Sequence, residues 1–154
     1  MENSSSDRPS AGEVAAGYFS EQFHCAEAVA KSVLNAKGEC AKSAVACATA
    51  FGGGYGRSFD EACGALSGGL IAIGQLHGRR APGESWDYPA SLGAMLREAF
   101  VEEFGTTHCR ALRERFGDAQ EAECRNLVRF TADTLEEMLE TPVQSSAKVA
   151  CGCR

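Results

Sequence analysis

The sequence predicts an all-α fold, a single-domain bundle of six or seven helices. Three observations carry that expectation. Apolar residues recur at helical spacing in every long segment, glycines fall just past the ends of those segments, and no stretch alternates apolar with polar residues as a half-buried strand would. With 154 residues, 44% of them hydrophobic, the chain is long enough to close one core without disulfide staples.

The elements follow in order. Residues 1–10 are polar and read as a flexible tail. Val14, Ala15, Tyr18 and Phe19 share a face over 11–22, and Cys25, Ala28, Val29 and Val33 form the stripe of a helix over 24–36, with Gly38 just past its end. Residues 41–51 are almost wholly Ala, Val and Cys and make a short helix that neighbours can approach closely. Gly52-Gly53-Gly54-Tyr55-Gly56 then breaks the chain. Asp60 is the expected N-cap of a helix over 61–77, in which Gly64, Ala65, Gly68, Gly69 and Gly74 are all small. Each glycine costs about 1 kcal/mol relative to alanine in a helix, so close packing against neighbours must offset it.

Leu92, Met95, Leu96, Ala99, Phe100 and Phe104 give the clearest amphipathic stripe, over 88–104, stopped by Gly105. Thr106 or Thr107 is expected to cap a short helix carrying Cys109, Leu112 and Phe116, closed by Gly117. The last helix, 120–140, carries Cys124, Leu127, Val128, Thr131, Leu135 and Met138. The helical domain is thus 11–141, and 142–154 is a second flexible tail finishing in Cys151-Gly152-Cys153-Arg154.

Composition excludes several classes. The 15 Lys+Arg residues are outnumbered by 21 Asp+Glu and are scattered, which gives no footprint for nucleic acid. No apolar run approaches the roughly 18 residues of a membrane span, and the start lacks the apolar stretch of a secretion signal. A soluble, cytoplasmic protein is expected, with no membrane contact. The Gly/Ala-rich face of 61–77 would allow close approach of a second copy as a homodimer, and no redox partner can be read from these residues.

Eight cysteines are the informative feature. In a reducing compartment they point to metal, cluster or redox chemistry rather than to disulfides. Cys25, Cys63, Cys109 and Cys124 each fall on the apolar stripe of a helix and near its first turn, where the helix dipole lowers a thiol pKa. Four thiols from four helix starts, all facing inward, could meet at one site. The competing reading is that each is a small buried hydrophobe. Cys40 and Cys47 lie seven apart on one helix face, too far to bridge each other, and packing is their expected role. Cys151 and Cys153, as a C-x-C pair, could exchange thiols or grip a soft metal ion.

Familiar signatures are missing. There is no C-x-x-C, no ferredoxin spacing and no C-x-x-C-H for an attached haem. Gly52–Gly56 lacks the Lys-Ser/Thr of a phosphate loop. His24 and His108 directly precede Cys25 and Cys109, but adjacent side chains on a helix diverge, so shared ligation is not expected. His77 is about four turns from Cys63. No general acid or base, and no Ser-His-Asp set, can be assigned.

The segment Cys63-Gly64-Ala65-Leu66-Ser67-Gly68-Gly69, preceded by Ala50-Phe51-Gly52-Gly53-Gly54, resembles the C_GCAxxG_C_C family of bacterial and archaeal redox-active proteins. The likeness runs from about Val14 to Leu139. Cys25, in His-Cys-Ala-Glu-Ala-Val, supplies the early cysteine, Cys63 the central one, and Cys109 and Cys124 the two later ones. The family label spells its centre Gly-Cys-Ala, whereas this chain has Ala62-Cys63-Gly64-Ala65. Cys40, Cys47, Cys151 and Cys153 lie outside the pattern. The resemblance implies redox activity and a bound group such as an iron–sulfur cluster.

Three functional readings follow. In the first, Cys25, Cys63, Cys109 and Cys124 ligate an iron–sulfur cluster for electron transfer, a sulfur donor set that also accepts zinc or copper. In the second, the same four are redox thiols without a cofactor, served by Cys151 and Cys153. In the third, the bundle is structural or binds a partner, and its cysteines fill space.

Overall fold

The computed structural model describes residues 7–141, and over that span the chain forms seven α-helices. They are α1 (Ala11–Glu21), α2 (Cys25–Ala36), α3 (Lys42–Ala48), α4 (Gly64–His77), α5 (Asp87–Phe104), α6 (Cys109–Phe116) and α7 (Gln120–Glu140). Short 3₁₀ turns at Thr49–Phe51 and Gly117–Ala119 follow α3 and α6. The all-α bundle expected from periodicity is the architecture observed.

The chain locks its first helix in place with carboxylates. Ser10 and Glu13 form a reciprocal capping box on α1. Two further first-turn donors, Ala11 N–H and Gly12 N–H, reach Glu136 Oε2 at 2.8 Å and Asp133 Oδ1 at 2.7 Å on α7. These groups have no partner within the helix, and negative charge there is favoured by the dipole. Of the segment expected as a tail, Ser10 is this cap and Arg8 pairs with Glu136 at 3.1 Å. Residues 1–6 and 142–154, including Cys151 and Cys153, lie outside the described residues.

Helix α2 runs through the middle, with Ala28, Val29, Ala30, Val33 and Leu34 sealed from solvent. Its closest neighbour is α4, and the glycines of α4 explain why. A Cβ on Gly68 would lie 2.2 Å from Ala26 O, and one on Gly69 would lie 2.7 Å from Leu96 Cδ2. The propensity penalty of this helix is therefore offset by backbone contact that a side chain would block. Leu92, Leu96 and Phe100 of α5 are buried against it, but Met95 is 45% exposed and departs from the expected stripe. The row of residues spaced four apart meets the bundle, and Met95 stands one step around the helix from it.

Other boundaries moved for non-local reasons. Residues 59–63 are not the first turn of α4; they run antiparallel to 107–110 about an isolated Ala62–His108 bridge. Cys63 N–H donates to Thr107 O at 2.7 Å, Cys109 N–H to Glu61 O at 2.9 Å and Arg110 N–H to Phe59 O at 2.7 Å. Cys63 consequently caps α4, while Asp60, the expected cap, pairs with Arg110 at 2.8 Å. On α6 the cap is His108; Thr106 instead accepts the His108 N–H.

Between α3 and this pairing lies an unusual turn. Gly53, Gly54, Tyr55, Gly56 and Arg57 have φ of 61°, 61°, 65°, 59° and 61°, and Phe59 has 62°. Five successive residues thus wind left-handed, closed by Arg57 N–H to Gly52 O at 3.1 Å and Phe59 N–H to Gly53 O at 2.9 Å. Each non-glycine residue so placed costs roughly 1–2 kcal/mol. Contacts offset that strain: Tyr55 packs edge-on to Phe51 with ring centroids 5.3 Å apart, and the Arg113 guanidinium stacks 3.9 Å above the Phe59 ring.

Candidate functional site

Four helix starts converge on one cavity. Cys25 is the first residue of α2, Cys63 the N-cap of α4, Cys109 the first residue of α6 and Cys124 the fifth of α7. All four line a cavity of about 570 Å³. The 59–63/107–110 pairing sets Cys63 and Cys109 at neighbouring helix starts, and the glycine face of α4 draws Cys25 alongside. A Cβ on Gly64 would fall 2.4 Å from Cys25 Sγ, and one on Gly54 would fall 2.7 Å from Cys109 Cβ. Phe19, Phe59, Leu112 and Leu127 supply apolar wall, and the cavity reaches the surface at the exposed Arg57 and Glu121.

The thiols are not equivalent. Burial pushes Cys25 up, but the adjacent His24 imidazole and the backbone N–H groups of Gly53 and Ala26 outweigh it, and its pKa is lowered. Cys63 is wholly buried; burial, then the charge on Cys25, raise it strongly. The same two causes raise Cys109, against Arg113 and Arg110, and push Cys124 up to about 11. The cavity therefore favours one negative charge, placed on Cys25. The expectation that all four helix starts would lower their thiols holds for Cys25 alone, because desolvation exceeds a dipole effect worth at most about 2 kcal/mol.

Sequence reasoning missed the two histidines. His24 and His108 stand at N-cap positions with extended backbone rather than inside their helices, so each ring folds back over the helix end. His24 Nδ1 accepts from Glu27 N–H at 3.5 Å, and its Nε2 donates to Thr49 O at 2.8 Å. His108 repeats the arrangement, accepting from Ala111 N–H at 3.3 Å and donating to Asp60 O at 2.9 Å. The doublet His-Cys, opening two helices, was the available signal. Glu27 adds a contact to His24 Nε2 at 3.4 Å. The adjacent Cys25 sulfur is the leading cause that raises His24.

The remaining expectations divide. Cys25, Cys40, Cys47, Cys63, Cys109 and Cys124 are all free thiols. Cys40 and Cys47 are exposed and away from the cavity, so they do not pack as expected. Helix α3 buries Ala44 and Ala48 and partly covers Val45, leaving Cys47 outside, and Cys40 precedes it in the linking loop. His77 packs on Tyr88, remote from the site. Among the described residues no group of three or more His, Cys, Asp or Glu is arranged to hold a metal ion. Nor is any described helix long and apolar enough to cross a membrane.

Helices that carry four separated cysteines into one cavity define an all-α, cysteine-centred site protein. The chain belongs to the C_GCAxxG_C_C family, described as "Putative redox-active protein", whose pattern matches residues 23–138 and spans all four of those cysteines. No curated protein and no solved structure matches it.

Proposed function

We propose that this redox-family protein handles electrons through an iron–sulfur cluster held by Cys25, Cys63, Cys109 and Cys124. The supporting observation is that these four, and none of the other described cysteines, line one cavity. A single zinc or copper ion would need its sulfur ligands within about 2.3 Å of one point. A cluster spreads its ligands over several iron atoms and needs a wider bay. When bound, it supplies one-electron chemistry at a potential tuned by charge and by hydrogen bonds to sulfur.

The chain's own groups fit that task. The raised thiols of Cys63, Cys109 and Cys124 stay protonated until a metal deprotonates them. Gly53 and Ala26 N–H groups aim at the Cys25 sulfur, the kind of contact that tunes a metal's ligands. Phe19, Phe59 and Leu127 give the bay an apolar wall. Anaerobic purification with iron and sulfide analysis and visible absorption tests the reading. Bound iron with matching sulfide is expected, and a colourless, iron-free protein after anaerobic reconstitution overturns it.

A second reading rests on the lowered pKa of Cys25. Its thiolate would attack a disulfide R–S–S–R′, forming Cys25–S–S–R and releasing R′–S⁻. A second cavity cysteine, giving up its proton, would then displace R–S⁻ and leave an intrachain disulfide. Mass spectrometry after mild oxidation would show a specific pair including Cys25, and free thiols throughout would refute it.

A further inference from the structure

We infer that His24 and His108 are paired positioning residues, which clamp the left-handed turn 53–57 from its two ends against the cysteine cavity and so fix where the Cys25 sulfur sits. The inference rests on the four cysteines forming one site and goes beyond it, because neither histidine is a sulfur ligand.

Each histidine bonds a carbonyl on a different side of the turn. His24 Nε2 holds Thr49 O, upstream, and His108 Nε2 holds Asp60 O, downstream. A carbonyl only accepts, so Nε2 carries the hydrogen in both rings. The opposite nitrogen, Nδ1, is then free to cap α2 or α6. The two imidazoles thus share one tautomer and one task, tying a helix start to one end of the turn.

What lies between those anchors faces the sulfurs. Gly53 shares the cavity wall with Cys25 and its N–H favours the thiolate there, Gly52 sits under the His24 ring where a Cβ would come within 2.7 Å, and Gly54 abuts Cys109. The turn is strained at Tyr55 and Arg57, and the chain just beyond it at Phe59, and such strain persists only where surrounding contacts over-determine it. Arg110 reinforces the downstream anchor, donating to Ser58 O at 2.8 Å. If one anchor is released, the turn relaxes along its length, and the cysteine at the far end is affected too.

Asparagine separates the two duties of each histidine. It is a favoured N-cap but is too short to cap and reach the distant carbonyl together. The test uses the full chain, reduced and metal-free under anaerobic conditions, with alkylation by iodoacetamide followed at each cysteine by mass spectrometry. His108→Asn leaves every neighbour of Cys25 in place, yet labelling of Cys25 is expected to rise about five-fold, the population shift for losing one hydrogen bond. His24→Asn is expected to do the same at Cys109, while Cys124, on a helix neither histidine caps, keeps its rate.

If each substitution alters only its own adjacent cysteine, or none, the clamp is wrong. A uniform rise over all four cysteines signals general loosening and also overturns it. Gly56→Ala is the second variant, should the asparagine proteins fail to fold. No atom stands within 4 Å of its new methyl group, but the left-handed φ of 59° is strained by it. Labelling of both Cys25 and Cys109 is expected to rise, and unchanged rates refute the proposal. Because the readout needs no iron, it can fail while the cluster reading stands, or the reverse.

Discussion

At Cys25 two forces on one sulfur oppose each other, and the smaller contacts win in sum. Burial disfavours the thiolate, while His24, Gly53 N–H and Ala26 N–H together favour it. Desolvation leads at the other three, and neither the Ala65 and Leu66 N–H groups at Cys63 nor the arginine charges at Cys109 and Cys124 overcome it. The pH dependence of stability follows. A thiol raised by folding contributes stability that is complete below its unfolded value, about 8.5, and is lost as pH rises through its folded value. For Cys124 that folded value is about 11. Cys25, lowered, contributes in the opposite sense, above its unfolded value. Three raised thiols outnumber one lowered, so the reduced, metal-free protein should lose stability on going from about pH 8.5 to 11. Urea midpoints measured across that range should fall less steeply in Cys124→Ala than in wild type. Parallel slopes would contradict the assignment.

Element by element, α4 shows how one residue type serves two ends. Gly68 faces the Ala26 carbonyl, whereas Gly74 faces open space. Gly68→Ala should therefore cost about 1–3 kcal/mol by forcing α2 and α4 apart. Gly74→Ala should gain up to about 1 kcal/mol from helix propensity. Denaturant titration of the two variants checks both, and equal effects would mean that α4 does not pack through this face. The glycines themselves were legible in the sequence, and so was the need for a close neighbour. The start of α4 was not, because Glu61–Cys63 are held by residues 107–109, more than 40 positions away. The break at Gly52–Gly56 was equally plain. Its handedness was hidden, since Tyr55, Arg57 and Phe59 carry side chains that ordinarily avoid positive φ. His24 was misplaced by a single residue, inside the helix rather than at its cap, and that one step conceals its bond to Thr49 O.

For the molecule as a whole, the stripes of α2, α5 and α7 were readable because burial leaves a period in the sequence. Convergence of cysteines is a property of the path between them and leaves none. The candidate set Cys25, Cys63, Cys109 and Cys124 came from shared position near helix starts and from family likeness. The reason they meet lies in the packing of α2 on α4 and in the pairing about Ala62 and His108. Cys40 and Cys47 serve as internal controls, being exposed and outside the cavity. The most direct measurement is bound iron per chain after anaerobic reconstitution, compared across six single Cys→Ala variants. Loss of iron and of its visible absorption on changing Cys25, Cys63, Cys109 or Cys124, with Cys40→Ala and Cys47→Ala like wild type, is the predicted result. Wild-type iron and absorption in any one of those four variants would contradict a single four-cysteine site.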